Sequence, residues 1–344
     1  MTNVQVTAEA VEGSAGRRGE LVRQAMASAM AALEPPLAEM ARFATGQRDA
    51  GGEPAAGRGK GLRPTLALLG AEAAGGMAEA ALPGAVAVEL VHTFTLVHDD
   101  IMDGDERRRH RPSLWKAYGT GPAVLVGDAL LALALESLGR VPAAVRGEAV
   151  ALLAGALLEV VVGQAADMAF EDRPWTGAGA VTLDEYHAMA AGKTGALLGC
   201  SAALGAVLAG APRDVADGLA RAGRELGLAF QAVDDVLGIW GDPDATGKPV
   251  FSDLRRRKKT APVLVALSGP DRDALVAVMT GAVDERGLRA AAGLIERAGG
   301  RTAAEEMARR CLGTATALLR ELPLARPAVE DLLALAEGLV ARRR

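Results

Sequence analysis

The sequence predicts an all-α protein, because its apolar residues are mostly aliphatic and because no stretch shows the alternating pattern of a strand. Half of the 344 residues are hydrophobic and only 3% are aromatic, so Ala, Leu and Val dominate the apolar content. That composition favours helices over strands. Many of the apolar stretches are hydrophobic nearly all round, which is typical of helices buried in a large bundle. We therefore expect one helical domain.

Six Ala- and Leu-rich stretches predict the main helices. They cover Leu62–Ala74, Pro83–Met102, Val124–Gly139, Glu148–Phe170, Leu183–Ala209 and Val215–Trp240. Gly-rich or polar loops separate them, at residues 46–61, 104–112, 172–182 and 241–252. We expect residues 1–20 to form a flexible N-terminal segment and residues 21–344 to form the domain.

The overall composition excludes several classes of protein. A net charge of -5 gives no general attraction for nucleic acid, so an anionic ligand needs a local group of cations. Cys200 and Cys311 are too few for a disulfide framework, which fits a reducing compartment. The run from Thr194 to Pro212 is uncharged, but its Ala and Gly content predicts a buried core helix. With no secretory signal visible, we expect a cytoplasmic protein without an integral membrane span.

Lysine is rare in this chain, and its positions are informative. Only six of the 38 basic residues are lysines, and they are Lys60, Lys116, Lys193, Lys248, Lys258 and Lys259. Five of the six lie beside Gly, Thr or Asp in expected loops or at helix ends. An ammonium group and a planar guanidinium are not interchangeable where a point charge must hold a phosphate. These lysines together therefore suggest phosphate contacts. For any single lysine, the alternative is chance retention on a solvated surface.

A first acidic cluster ends a predicted helix, in the segment HTFTLVHDDIMD at residues 92–103. At about 100° per residue, His92, Asp99 and Asp103 share one helix face, and Asp100 lies on its flank. Carboxylates this close repel one another unless a cation is present, and oxygen ligands beside a phosphate are typical of Mg²⁺ sites. Arginines follow at positions 107, 108, 109 and 111 and can hold diphosphate oxygens. The alternative is a solvated helix end with ordinary ion pairs.

A second acidic cluster, Asp234 and Asp235, also follows a helical run, and a Gly-rich loop with Lys248, Lys258 and Lys259 comes after it. Two acidic helix ends, each followed by cations, predict a metal-diphosphate complex held from opposite walls of a helical cavity. Two further cationic sites contain Lys60 with Arg63 in GRGKGLRP, at a helix start, and Lys193 with Thr194 in AGKTGALL.

From about residue 55 to 265, these motifs resemble those of the trans-isoprenyl diphosphate synthases, also called polyprenyl synthetases. The resemblance implies an isoprenoid-synthase-type helical bundle around a central cavity, and a homodimer. It also implies a transferase that joins an allylic diphosphate to isopentenyl diphosphate with Mg²⁺, using three ions in each active site.

The resemblance assigns roles to individual residues. It implies that Asp99, Asp103 and Asp234 bind Mg²⁺ directly, with Asp100 and Asp235 as the other members of the two acidic motifs. The residues implied to hold isopentenyl diphosphate are Lys60, Arg63, His92 and Arg109. Those implied to hold the allylic diphosphate are Arg108, Lys193, Lys248 and Lys258. Thr194 and Gln231 are implied to line the reaction centre, and Gln164 and Asp167 match a further pair that faces the cavity.

The implied reaction is ionisation of the allylic diphosphate, attack by the isopentenyl double bond, and loss of a proton to the released diphosphate. It needs no side-chain nucleophile, which explains why the sequence has no Ser/His/Asp or Cys/His constellation. The chief task of such a site is electrostatic stabilisation and exclusion of water.

The second acidic motif departs from the family pattern at Gly238, where a third Asp is usual. Because that Asp is expected to act through water, we predict that activity survives its absence. A catalytically weakened regulatory subunit is the alternative. A class I terpene cyclase would share the helical fold, but its second metal site normally has an Asn/Asp, Ser/Thr, Glu pattern, whereas Asp234 is followed here by Gly238 and Asp242.

Product length is expected to depend on residues just upstream of Asp99. Phe94 is five residues before it and Thr95 is four, and no insertion separates Asp100 from Asp103. In the family this combination implies a twenty-carbon product, geranylgeranyl diphosphate, with farnesyl or geranyl diphosphate as alternatives. Helix geometry places Thr95 under Asp99 and Phe94 to the side, so it leaves open which of the two limits the chain.

Overall fold

A computed structural model of the chain describes residues 3–48, 61–108, 111–243, 249–281 and 284–341, and the surroundings of side chains from residue 14 onward. These residues are mostly helical, which confirms the all-α prediction. The first ten helices are α1 (Asn3–Met30), α2 (Leu37–Ala44), α3 (Leu62–Ala73), α4 (Leu82–Met102), α5 (Leu114–Tyr118), α6 (Thr120–Gly139), α7 (Ala143–Asp172), α8 (Leu183–Ala190), α9 (Ala196–Leu208) and α10 (Arg213–Trp240). The later ones are α11 (Ser252–Arg255), α12 (Ala261–Leu267), α13 (Arg272–Thr280), α14 (Glu285–Arg297), α15 (Gly300–Glu321) and α16 (Arg326–Val340).

Short elements complete the chain. A 3-10 helix spans Ala78–Ala81, and a π-helical turn at Ala191–Gly195 lies between α8 and α9. Two antiparallel strands, β1 (Arg107–Arg108) and β2 (Arg111–Pro112), pair after α4. They are too short to give the alternating pattern by which a strand is found in a sequence.

The chain forms two compact units. The first contains Met1–Gly155, Leu197–Ala220 and Leu319–Leu332, and the second contains Ala156–Ala196, Arg221–Leu318 and Leu333–Arg344. The domain boundary expected at residues 20 and 21 falls inside α1. The division into segment and domain stays a prediction.

In the first unit, helices α3 and α9 cross closely because each has a glycine at the crossing. A Cβ on Gly70 would lie 2.3 Å from the carbonyl oxygen of Ala202, and one on Gly205 would lie 2.0 Å from that of Ala67. The large apolar side chains of these helices are buried, among them Leu66, Leu68, Leu69, Leu198 and Leu204. Each buried leucine contributes roughly 1.5–3 kcal/mol, so this crossing is a main source of stability in the unit.

An ion-pair network fixes the first helix within the same unit. Arg18 is only 7% exposed, and it donates from Nε to Glu72 over 2.8 Å and from Nη2 to Asp331 over 2.6 Å. The three residues belong to α1, α3 and α16. Since a buried guanidinium needs acceptors for its donors, Arg18 joins these helices in a defined arrangement.

The second unit has two apolar clusters. One contains Phe170, Tyr186, Met189, Leu264 and Met307, and the other contains Ile239, Phe251, Leu254, Met279 and Ile295. Helix α10 contributes Ala232 to the first cluster and Ile239 to the second. Helix α10 is therefore anchored by packed side chains of this unit both before and after Asp234 and Asp235 in the chain.

Among the described residues, four helical stretches are long and apolar enough to cross a membrane by length and composition. In the stretch Leu183–Leu208, 83% of an apolar 18-residue window is buried inside the protein, as predicted for a core helix. The stretches Thr120–Gly139 and Ala143–Asp172 are 39% and 33% buried. The absence of an integral span stays a prediction, and the exposed faces of α6 and α7 need another explanation.

Candidate active site

The first acidic cluster lies at the C-terminal end of α4, in the first unit. The N–H of Asp103 donates to the Asp99 carbonyl oxygen over 2.8 Å, and Gly104 then adopts a left-handed conformation with φ of 66° that ends the helix. Asp99 and Asp103 are one turn apart, and both are partly exposed. Because the C-terminus of a helix carries partial negative charge, two carboxylates here favour a bound cation.

The donor set at this helix end fits Mg²⁺. In the part of the chain that the structure describes, no group of three or more His, Cys, Asp or Glu side chains forms a complete metal cage. Mg²⁺ usually binds through one or two carboxylates together with substrate phosphates and water. Asp99 and Asp103 supply ligands of that kind and number.

Asp100 has a different environment from its neighbour Asp99. It is 3% exposed, and its Oδ1 accepts hydrogen bonds from Nε and Nη2 of Arg108 over 2.9 and 2.6 Å. Burial raises the pKa of Asp100, and the Arg108 guanidinium opposes that rise. The structure thus shows Asp100 orienting Arg108, and the catalytic role predicted for Asp100 with the rest of its motif stays a prediction.

Other predicted substrate-binding residues are distributed around the same unit. His92 lies on α4 seven residues before Asp99, Arg63 is the second residue of α3, and both are partly exposed. Three predicted residues, Lys60, Arg109 and Lys248, lie outside the described residues.

The two residues expected to limit product length differ in their contacts. The Phe94 ring packs edge-to-face against His98, with ring centroids 4.7 Å apart. A Cβ on Gly127 of α6 would lie 2.2 Å from Nε2 of His98, so the imidazole fills the space that this glycine leaves. The Thr95 hydroxyl donates to the His92 carbonyl oxygen over 2.8 Å. Phe94 is thus held against another side chain, while Thr95 makes its polar contact with its own helix.

In the second unit, Lys193 and Thr194 lie on the π-helical turn. Glycines of two neighbouring helices make room for it. A Cβ on Gly163 of α7 would lie 2.3 Å from the Lys193 amide nitrogen, and one on Gly227 of α10 would lie 2.5 Å from the Gly195 Cα. Turns of this kind widen a helix locally and are frequent at functional sites. The backbone that carries Lys193 and Thr194 is therefore held on two sides.

Two lysines share one carboxylate. Lys193 and Lys258 both donate to Oδ2 of Asp167, over 2.5 and 3.0 Å. Burial alone would raise the pKa of Asp167, but the two ammonium groups outweigh it and lower that pKa. One ionised carboxylate thus holds two ammonium groups side by side and leaves a net positive charge, which suits a diphosphate.

A chain of hydrogen bonds runs from Thr194 into the core of the second unit. The Thr194 hydroxyl donates to Gln231 over 2.7 Å, and the Gln231 amide donates to Asp235 over 2.9 Å. Asp235 also accepts from the Tyr186 hydroxyl over 2.5 Å and from the Ala261 N–H over 3.0 Å. Burial raises the pKa of Asp235 to about 7. This carboxyl group therefore supports Gln231 and Thr194 from inside the protein.

Asp234 and Gln164 are the remaining predicted site residues of this unit. Asp234 is exposed, in contrast to its buried neighbour Asp235, so it is the member of the motif that can meet a solvated ligand. Gln164 is 8% exposed, and neither its amide nitrogen nor its amide oxygen has a hydrogen-bond partner among the described residues. Since buried polar atoms are usually paired, Gln164 is suited to contact a polar group of a ligand.

Lys259 does not join the phosphate-binding lysines that the sequence suggests. Its Nζ donates to the carbonyl oxygens of Phe170 and Glu171 over 2.7 and 3.1 Å, and it lies 4.7 Å from the Trp175 ring centroid. A cation is favourable at the C-terminus of a helix such as α7. Lys259 is thus a structural residue. Tyr186 is not predicted as a site residue from the sequence, because one tyrosine in an apolar helix looks like any other core residue.

Partly exposed carboxylates at a helix end, two lysines on one carboxylate and a buried carboxyl group that orients an arginine are features that suit an enzyme for diphosphate esters. The family model for Polyprenyl synthetase matches residues 52–291, and the chain belongs to that family. It is a short-chain trans-prenyl diphosphate synthase, a prenyltransferase that uses isopentenyl diphosphate and an allylic diphosphate.

Individual relatives are similar over most of their length. A (2E,6E)-farnesyl diphosphate synthase of Mycobacterium tuberculosis is 47% identical over 306 residues, which cover 86% of this chain and 83% of that protein. A geranylgeranyl diphosphate synthase of the same species is 43% identical over 325 residues, covering 92% and 89%. The crystal structure of a polyprenyl synthetase from Streptomyces coelicolor matches with a TM-score of 0.88 and 44% identity, covering 95% of this chain and 98% of that one.

Proposed function

We propose that the protein is a geranylgeranyl diphosphate synthase, which extends an allylic diphosphate to twenty carbons. The relatives do not decide the product, because a farnesyl diphosphate synthase is 47% identical and a geranylgeranyl diphosphate synthase 43%. The observation that supports the longer product is Phe94, an aromatic residue five positions before Asp99 whose ring is held against His98. A ring held in this way can stop the growing chain, whereas the small Thr95 leaves space for it.

We propose a distinct part in substrate binding for each group of site residues. Arg108, Lys193 and Lys258, together with Lys248, hold the allylic diphosphate. Arg63 and His92, together with Lys60 and Arg109, hold isopentenyl diphosphate. Asp99, Asp103 and Asp234 would hold Mg²⁺, three ions in all, and the ions would supply positive charge to neutralise the departing diphosphate.

The side chains promote the reaction mainly by electrostatics. The cations stabilise the negative charge that forms as the bond between C1 and the diphosphate oxygen breaks. The terminal carbon C4 of the isopentenyl double bond then bonds to the allylic C1, which leaves the positive charge on the isopentenyl C3. A proton lost from the isopentenyl C2 passes to an oxygen of the released diphosphate, and its electron pair forms the new double bond between C2 and C3. Thr194 and Gln231 are fixed at this reaction centre by the hydrogen-bond chain that ends at Asp235.

The product identifies the function directly. The purified protein, given Mg²⁺, isopentenyl diphosphate and dimethylallyl diphosphate, is expected to yield geranylgeranyl diphosphate, identified by mass spectrometry. Phe94→Ala is expected to give longer products, because the ring that limits the chain is gone, while Thr95→Ser should leave the product length unchanged. Farnesyl diphosphate as the final product of the wild-type protein would refute the proposed chain length, and cyclic hydrocarbons would refute the proposed enzyme.

We also propose a cytoplasmic homodimer. On α7, Leu158, Val161 and Val162 are 69%, 52% and 69% exposed, and on α6 Leu125 is 60% exposed. Exposed apolar patches of this kind mark interaction surfaces. The opposite face of α7 is buried, and Glu159 on this helix pairs with Arg224, so α7 is not apolar all round as a lipid-surrounded helix would be. A second copy of the chain therefore fits the exposed stripe better than lipid does.

A further inference from the structure

The space beside Gly238 is occupied by a carboxylate from another part of the chain. A Cβ on Gly238 would lie 2.0 Å from Oδ2, 2.4 Å from Cγ and 2.8 Å from Oδ1 of Asp253. The whole carboxylate group of Asp253 therefore fills the volume into which a side chain at position 238 would extend. No L-residue other than glycine fits at 238 while Asp253 keeps this position.

This position belongs to the second acidic cluster. Gly238 is four residues after Asp234 on α10, and residues four apart on a helix have Cβ atoms about 5–6 Å apart on the same face. The Asp253 carboxylate thus stands one helical turn from Asp234. A third Asp in the motif would have placed its carboxylate from this same turn.

The segment that carries Asp253 is anchored to α10 at that turn. The Ser252 hydroxyl donates to the Gly238 carbonyl oxygen over 3.1 Å, and the Phe251 N–H donates to the Ile239 carbonyl oxygen over 3.3 Å. Leu254 is fully buried in the same apolar cluster as Ile239. Hydrogen bonds and buried side chains on both sides therefore hold the backbone of Asp253 beside this turn of α10.

We propose that Asp253 supplies the carboxylate that position 238 lacks, and that it acts with Asp234 on the Mg²⁺-diphosphate complex. This inference rests on the proposed function of Asp234. Asp253 serves as a positioning residue, because a carboxylate one turn from Asp234 can accept hydrogen bonds from water molecules that surround the ion. Groups that hydrogen-bond to the ligands of a metal in this way affect how tightly the metal binds. The second acidic cluster is then complete, although its third member comes from α11.

The test moves the carboxylate between the two positions. Asp253→Asn keeps the shape of the side chain but removes its charge. Gly238→Asp forces two carboxylates into one space. The double variant, Gly238→Asp with Asp253→Gly, transfers the carboxylate to α10. Asp273→Asn is the control, since this acid of the same unit has a side chain that is 91% exposed. Circular dichroism establishes that each variant is folded.

The main measurement is binding of inorganic diphosphate by calorimetry at a series of Mg²⁺ concentrations, with product formation followed in parallel. Asp253→Asn is expected to need about tenfold more Mg²⁺ for half-maximal binding. The double variant is expected to recover most of that loss, whereas Gly238→Asp alone should not bind better than wild type. Wild-type Mg²⁺ dependence in Asp253→Asn, or no recovery in a folded double variant, would overturn the proposal.

The same measurement separates the two proposals. A wild-type protein that binds Mg²⁺-diphosphate with the expected dependence on Asp253, but makes no geranylgeranyl diphosphate, would refute the proposed product and support the role of Asp253. Product of the expected length, together with unchanged Mg²⁺ dependence in Asp253→Asn, would support the proposed product and refute the role of Asp253.

Discussion

Adjacent residues of like type have opposite environments in this protein. Asp100 and Asp235 are 3% and 2% exposed, while Asp99 is partly exposed and Asp234 is exposed. On a helix, neighbouring side chains point about 100° apart, so one member of each pair faces the core and the other is accessible from outside. Each acidic pair thus combines an accessible carboxylate with a buried one that hydrogen-bonds a neighbouring side chain.

Asp167 gives a prediction at this scale, because its ionised form is stabilised by Lys193 and Lys258. Its pKa in the folded state lies below its ordinary value of 3.8. The stability that it contributes is therefore complete above that value and is lost as the pH falls through the lowered pKa. The free energy of unfolding of wild type should exceed that of Asp167→Asn at neutral pH, and the difference should shrink in acid.

Denaturant unfolding of both proteins between neutral and acidic pH measures this difference. Glu148→Gln is the control, since it removes a carboxylate from an exposed position of the same helix. A difference that stays constant down to the most acidic pH at which both proteins fold would show that Asp167 is not held ionised by its lysines.

The types of residue in the site could be predicted from the sequence, but not all of their roles. Clustered carboxylates and rare lysines indicated a metal and a diphosphate, and the resemblance to known motifs separated Asp99 and Asp234 from their neighbours. Lys258 and Lys259 look alike in sequence, yet only Lys258 reaches Asp167, while Lys259 caps α7. Which of the two lysines contacts Asp167 depends on where α7 ends relative to them, and no pattern in the local sequence indicates that position.

At the scale of elements, the position of Lys193 depends on a close approach of backbones. The π-helical turn lies so near α7 that only a residue without Cβ fits at Gly163. Gly163→Ala is therefore expected to shift the turn, to destabilise the protein by about 1–3 kcal/mol and to impair use of the allylic diphosphate. Steady-state kinetics and thermal unfolding measure the two effects.

Gly155, on the same helix, offers a matched control. No heavy atom of the described residues lies within 4 Å of a Cβ built there. Gly155→Ala should leave kinetics unchanged and stabilise the helix by about 0.5–1 kcal/mol, because alanine is the better helix former. Equal effects of the two substitutions would show that the contact at Gly163 does not hold the turn.

The sequence predicted most elements up to residue 240 and few after it. The predicted Pro83–Met102 and Val215–Trp240 differ by one or two residues from the observed Leu82–Met102 and Arg213–Trp240. The predicted Leu183–Ala209 contains α8, the π-helical turn and α9, because apolar residues continue through the turn and give no sign of it. The turn packs against Gly163 of α7 and Gly227 of α10, which are distant from it in the sequence. Such tertiary contacts are not encoded in the periodicity of one segment.

At the scale of the whole molecule, the proposed function requires both acidic clusters to take part in the same reaction step. Asp99→Asn and Asp234→Asn should then each lower kcat strongly, and their combination should lower it by less than the product of the two separate effects, since residues that act as a unit are not additive. Single-turnover rates of the wild type, both single variants and the double variant form the test. Separate effects that multiply fully would mean that the clusters act independently.

Assembly of two copies is the last consequence at this scale. The exposed stripe of α7 has Leu158 and Val162 one turn apart, each 69% exposed, and burying apolar area of this kind contributes about 25 cal/mol per Å². Leu158→Glu with Val162→Glu would place two charges in the proposed interface, where an unpaired charge is costly. Light scattering coupled to size exclusion should therefore report a dimer for wild type and a monomer for this variant.

Met77→Glu is the control, because Met77 is 72% exposed but lies outside both helices, and it should leave the dimer intact. A wild-type monomer, or a variant that remains dimeric, would assign the stripe to some other partner.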